Sequence, residues 1–150
     1  RLDRGKDMGA FESVGHSLRN FANFKGRASR SEFWIFFLFV LAVQMLAPML
    51  LDWRIGGLIS LLLLVPQLSV AVRRLHDVDC SGKELVVPFV LLFAAGFIAR
   101  FPGFLPQVVM LGIYGTALIF FAALLRHLVK EGRKVPNRYG ASPAAFSFAR

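Results

Sequence analysis

The sequence has one cysteine, Cys80, in 150 residues, so no intrachain disulfide framework holds it together. Acidic residues are scarce: nine Asp and Glu face eighteen Lys and Arg, for a net charge of +9. The low hydrophobicity of a disordered chain is also missing, since 56% of the residues are apolar and sixteen are Phe. A chain both apolar and basic fits a membrane protein with cationic edges or a nucleic-acid binder. The placement of the charges decides between them.

The more telling absence is of charge within four runs. Residues 33–51, 55–72, 85–99 and 104–125 contain no Asp, Glu, Lys or Arg. A transmembrane helix takes about 20 apolar residues, within a range of roughly 17 to 25. The first, second and fourth runs meet that length. The third becomes a thin span over 85–101 once Phe101 is included and Lys83 and Arg100 snorkel. The sequence therefore predicts an all-α membrane bundle of four transmembrane helices, about 33–51, 55–72, 85–101 and 104–125. No small-residue cleavage site follows the first run, so none is expected to be a signal peptide.

Lys and Arg number seven in residues 1–32, one in the link 52–54, and three in the loop 73–84. One more lies in the link after the third run and six from Arg126 onward. This alternation follows the positive-inside rule and puts both termini and the central loop in the cytoplasm. It also moves the basic charge to one membrane face. The expected partner is then the bilayer, with its anionic lipid, rather than nucleic acid.

Residues 1–10 read as a disordered leader and 144–150 as a tail. Met8 is a candidate start. Met8-Gly9 with Ser13 formally matches an N-myristoylation pattern, taken as chance because four spans leave a lipid nothing to anchor. Phe11, Val14, Leu18, Phe21 and Phe24 recur every three or four residues. They predict an amphipathic helix over 11–25, lying on the inner leaflet or packed on the bundle. Gly26 ends it. Ser29-Arg30-Ser31-Glu32 forms a capping box, with Ser29 accepting from the Glu32 N–H and Glu32 reaching back to Ser29. Gly132 is the expected stop of the last helix, which continues past the membrane through Arg126 and His127.

Three segments carry a resemblance. They are Phe24-Lys25-Gly26-Arg27-Ala28-Ser29-Arg30-Ser31-Glu32-Phe33-Trp34, then Pro66 with Arg73-Arg74-Leu75-His76-Asp77-Val78 and Ser81-Gly82, and finally Pro136-Asn137-Arg138-Tyr139-Gly140 with Pro143. Together they resemble the bacterial inner-membrane family known as domain of unknown function 805, over about residues 20–143. The resemblance implies a small multi-pass inner-membrane protein and no particular activity. The family usually has Gly-Arg where this chain has Asp79-Cys80, an aromatic at Lys83 and an acidic residue at Ser142.

These segments all fall on the expected cytoplasmic face. Arg27, Arg30, Arg73, Arg74, His76, Asp77, Asn137, Arg138 and Tyr139 are candidates for a platform that binds an anion or a partner, because guanidinium forks suit phosphate. Arg133 and Lys134 add to its charge. The alternative is architectural: Arg73 and Arg74 complement a helix C-terminus and pair with Glu32 or Asp77 to tie two hairpins together. A metal site from His76, Asp77, Asp79 and Cys80 lacks the usual paired ligand spacing, so no metal is expected. A Cys80–His76 nucleophile lacks a third, orienting group.

A transport path would use Gln44, Gln67, Ser69, Gln107 and Thr116 with helices broken at Pro48, Pro66, Pro88 and Pro106. No Asp, Glu, Lys, Arg or His lies inside any run to couple it. Gly56, Gly57, Gly96, Gly112 and Gly115 are expected at close helix contacts. In the tail, Asn137 is expected to cap a turn, Gly140 to take a positive φ and Tyr139 to pack on the helix ends. The reading is a non-enzymatic membrane protein without a cofactor, its basic platform binding anionic lipid, a protein partner or a second copy. A small transporter or channel is the alternative. The third reading is an enzyme acting on a phosphorylated lipid, with His76 and Asp77 as acid and base.

Overall fold

A computed structural model describes residues 10–143, apart from the side chains of Pro48 and Trp53. The leader, Met8, Gly9 and the tail 144–150 lie outside the described residues. The described chain is helical: α1 (Ala10–Arg19), α2 (Arg30–Leu50), α3 (Trp53–Asp77), a 3₁₀ turn (Gly82–Leu85), α4 (Val86–Ile98) and α5 (Phe104–Val129). Three of these, α2, α3 and α5, are long and apolar enough to cross a membrane. The third apolar run gives only a 13-residue α4, about 20 Å at 1.5 Å per residue.

The two links are tight, so α2 packs along α3 and α4 along α5 as two helical hairpins. Ser29 opens α2 by accepting from the Glu32 N–H at 3.1 Å. Asp52 opens α3 by accepting from the Arg54 N–H at 2.9 Å. Gly103, at φ 124, makes the turn into α5. Pro88 and Pro106 sit in the first turns of α4 and α5, where a missing N–H forfeits no helical bond. Only Pro66 and Pro48 stand further inside helices.

α3 runs five residues beyond the uncharged run, so Arg73-Arg74-Leu75-His76-Asp77 is its last turn and not a loop. Charge there does not end the helix, because Asp77 pairs with Arg74 one turn earlier. The apolar core sits beside this turn, built on Phe33, Phe36, Val40, Val70, Leu75 and Leu124. Elsewhere the helices present their apolar side chains outward, as with Met49, Phe93 and Ile119. In a bilayer such faces meet lipid.

Gly56 is buried, as a close contact would require, but the other four glycines do not follow the expectation. A Cβ at Gly57, Gly96, Gly112 or Gly115 would meet open space. The demanding glycines are elsewhere: a Cβ at Gly82 would press on Val72, and one at Gly132 would overlap the Asp77 carboxylate. These two glycines lie at the ends of the bundle, where loops cross helices, while the small residues buried on helix faces include Ala71, Ala95 and Ala117.

Candidate functional site

One end of the bundle gathers the start of α2, the last turn of α3 and the chain after α5. Asp77 is its centre, 3% exposed. Its Oδ1 accepts from Arg27 Nε at 2.9 Å, with Arg27 Nη2 at 2.8 Å, and Arg74 Nη1 donates to its Oδ2. Its backbone carbonyl accepts from the Arg133 N–H at 3.1 Å. Gly132 passes this close because it has no side chain to meet the carboxylate.

Both arginines also read backbone. Arg74, fully buried, donates from Nε to the Leu128 carbonyl at 3.0 Å and from Nη2 to that of Lys130. It thus caps carbonyls at the end of α5, which have no helical partner and carry the negative end of the helix dipole. Arg27 donates to the carbonyls of Val135 (2.9 Å), Gly140 (3.3 Å) and Arg133. Two guanidiniums held on one carboxylate therefore fasten the segment 128–140 to α3. A planar fork of five donors is what such multiple contacts need.

His76 lies alongside. Its Nδ1 is 3.1 Å from the Gly26 carbonyl and its own carbonyl accepts from Asn137 Nδ2 at 2.8 Å. The Tyr139 ring stacks on its imidazole at 3.7 Å and 5°. Asn137 Oδ1 accepts from the Tyr139 N–H, and Asn137 and Gly140 exchange backbone bonds, with Gly140 at φ 128. Arg138 lies over the Tyr139 ring, 4.8 Å to its centroid, and donates to the Asp79 carbonyl at 3.0 Å. Asp79 stands at φ 66 and faces Arg133 at 3.1 Å. That backbone region favours glycine.

A second cluster docks α1. Glu32 is buried, with Arg73 Nη1 at 3.2 Å, His16 Nδ1 at 3.3 Å and Ser17 Oγ at 3.4 Å. Its carboxylate therefore faces α1 and α3 and does not return to the Ser29 N–H. Arg73 Nε and Nη2 and Ser13 Oγ are buried with no hydrogen-bond partner among the described residues. Ser69 fixes the exit of α1, donating to the Asn20 and Asn23 carbonyls at 3.2 and 2.7 Å. So α1 turns Ser13 and Ser17 inward and leaves Phe11 95% exposed, with Leu18, Phe21 and Phe24 also outward.

Of the nine platform candidates, Arg27, Arg74 and Asp77 meet directly, and His76, Asn137, Tyr139 and Arg138 form the adjoining layer. Arg73 belongs to the Glu32 cluster. Arg30 is at the rim, 3.2 Å from exposed Glu131. Arg27, Arg73 and Arg74 are buried, whereas Lys25, Lys83, Arg126 and Lys134 stand exposed around them. Sequence reasoning missed Ser13, Ser17 and His16 as inward contacts; their spacing of three and four residues on α1 was the available signal.

Of the pair read as acid and base, His76 has its Nδ1 at the Gly26 carbonyl and Asp77 is shared by two guanidiniums. Burial, with Glu84 beside it, pushes the Cys80 thiol up and leaves it a weak nucleophile at neutral pH. The donors His76, Asp77, Asp79 and Cys80 do not converge; Cys80 instead faces Glu84 and His127. Within the spans, Ser60 and Thr116 return their hydroxyls to the carbonyls of Gly56 and Gly112, a local bond that needs no polar path. A cavity of about 310 Å³ between the hairpins is lined mainly by apolar residues, among them Phe33, Trp34, Phe37 and Leu124.

The fold and this end of it define a small, all-helical membrane protein whose helix ends are laced by buried ion pairs and backbone contacts. The chain belongs to the family described as protein of unknown function DUF805, whose model matches residues 21–141. It is 35% identical over 132 residues to the inner membrane protein YhaI of Escherichia coli K12, covering 84% of this chain and 90% of that one. It is 36% identical over 86 residues to the inner membrane protein YhaH of the same strain, covering 49% of this chain and 71% of the relative. No solved structure matches it.

Proposed function

We propose that this chain is a four-span inner-membrane protein, its termini and charged end cytoplasmic, and that the exposed cations there bind anionic lipid. The role is non-enzymatic. The orientation rests on the alternation of Lys and Arg along the chain. The fourth crossing is supported by the contact of Arg74 with the Leu128 carbonyl. Because α3 and α5 end side by side, α5 begins at the opposite end, and residues 82–103 must travel the length of the bundle. With only 13 helical residues in α4, a locally thinned bilayer accommodates that crossing.

The observation that carries the lipid reading is the posture of α1. Its His16 and Ser17 contact Glu32, and Phe11, Leu18, Phe21 and Phe24 face outward at the end where Lys25, Lys83 and Lys134 are exposed. Apolar side chains at headgroup depth beside exposed cations suit an anionic leaflet. Arg27, Arg73 and Arg74 serve the scaffold in this reading. The test is lipid retention by the purified full chain, read by native mass spectrometry with equal anionic and zwitterionic phospholipid. Anionic lipid should be retained preferentially. Changing Lys25, Lys83 and Lys134 together to Gln should weaken retention by about 100-fold, from roughly 1 kcal/mol per cation near the surface. Equal retention of both lipids, or an unaffected triple variant, rejects the reading.

A further inference from the structure

Beside the ion-pair network at the charged end, and using none of its residues, three side chains of metal-ligating type come together from three separate elements. Cys80 lies in the turn after α3, Glu84 in the 3₁₀ turn and His127 in the last turn of α5. One ligand atom from each falls within 4.8 Å of the other two. Glu84 Oε2 and His127 Nδ1 are 3.3 Å apart. His127 Nδ1 is nevertheless a buried atom without a hydrogen bond among the described residues. The carboxylate oxygen is near the ring nitrogen but not aligned to bond it.

We propose that Cys80, Glu84 and His127 bind a divalent cation of the zinc class. The donor set is one thiolate, one carboxylate and one imidazole, each a known zinc ligand. Metal–ligand lengths of about 2.0 to 2.3 Å in a tetrahedron put the ligand atoms about 3.3 to 3.6 Å apart, and the Glu84–His127 separation is already of that size. Thiolate and carboxylate together balance the charge of a dication. A soft sulfur with an imidazole favours zinc over magnesium or calcium, which take oxygen. Three protein donors leave the fourth position open, and Glu84, at 42% side-chain exposure, marks the solvent side. Lys130 acts on Cys80 electrostatically, so the dication shares its surroundings with one ammonium, which limits affinity without removing a ligand.

The site would tie the α3–α4 connection to the end of α5. The residues are not those of the lipid platform, so either reading can fail alone. The test uses the tag-free full chain in detergent, titrated with Co²⁺ as the spectroscopic probe and with Zn²⁺ as its competitor. The expected result is one equivalent of Co²⁺ with a thiolate-to-cobalt charge-transfer band and tetrahedral d–d absorption, displaced by Zn²⁺. Cys80→Ser should abolish the charge-transfer band. Glu84→Gln, at an exposed position, and His127→Gln should each weaken binding at least tenfold. Zn²⁺ should also protect Cys80 from alkylation. Cobalt binding without a thiolate band, or binding unchanged in Cys80→Ser and Glu84→Gln, overturns the proposal.

Discussion

At the link between α2 and α3, Leu51 closes one helix and the Asp52 carboxylate caps the next. At the opposite end, Arg27, Glu32, Arg73, Arg74 and Asp77 are all buried, and their contacts reach from α1 to Gly140. The contrast follows from the solvent. Lipid tails are as apolar as leucine, so apolar contact between helices gains little in a bilayer. Packing alone gives these hairpins weak instructions about how to sit together, and their mutual contact between α3 and α5 is sparse. The ion pairs and guanidinium–carbonyl bonds at one end supply what packing does not. Buried charges are a poor source of net stability but a strong penalty against any arrangement that separates them.

That comparison can be broken by removing one carboxylate at each end. Asp77→Asn leaves Arg27 and Arg74 buried without their counter-charge, and the expected loss is about 3–5 kcal/mol. Asp52→Ala removes one helix cap and should cost about 1 kcal/mol. Unfolding of both variants in detergent micelles, followed by circular dichroism, gives the ratio. Equal losses would mean that the two ends matter alike.

Glycines sharpen the same contrast. At Gly132 an added methyl collides with the Asp77 carboxylate, so Gly132→Ala should destabilise by about 1–3 kcal/mol through overpacking. At Gly112 the methyl enters open space, and Gly112→Ala should be neutral or gain up to about 1 kcal/mol from helix propensity. The same unfolding assay compares them, and a costly Gly112→Ala would indicate a helix contact there.

Much of this was readable before any coordinates. Charge-free runs located α2, α3 and α5, because length and apolarity are sufficient for a spanning helix. Candidate residues were readable too: Arg27, Arg74, His76, Asp77, Asn137 and Tyr139 were all singled out. The architectural alternative also named the carboxylates, and Arg73 meets Glu32 while Arg74 meets Asp77. The contacts of Arg27 were not readable, because it lies 50 residues from Asp77 and 113 from Gly140, and nothing local encodes a contact at that separation. The end of α3 was misplaced at residue 72 for a related reason. A double arginine after an apolar run looks like the membrane edge, unless the carboxylate that neutralises it is known to be one turn away. Gly57, Gly96, Gly112 and Gly115 depart from the expectation because a small residue on a helix says nothing about whether a neighbour approaches it.

The smallest expected effect concerns the layer outside the ion pairs. Tyr139 contributes a ring face, stacked on His76 and covered by Arg138. Aromatic stacking of this kind is worth about 0.5–1.5 kcal/mol beyond area. An exposed guanidinium over a ring adds about 0.5–1 kcal/mol. Tyr139→Phe keeps both faces, so its unfolding free energy should stay within about 0.5 kcal/mol of the unsubstituted chain, the spread of ordinary surface changes. Tyr139→Leu keeps bulk but loses the π-system and should cost about 1 kcal/mol. If Phe and Leu behave alike, the ring serves only as apolar cover. If Phe alone is tolerated, recognition between the tail and the last turn of α3 extends beyond charge to the stacked His76–Tyr139 pair.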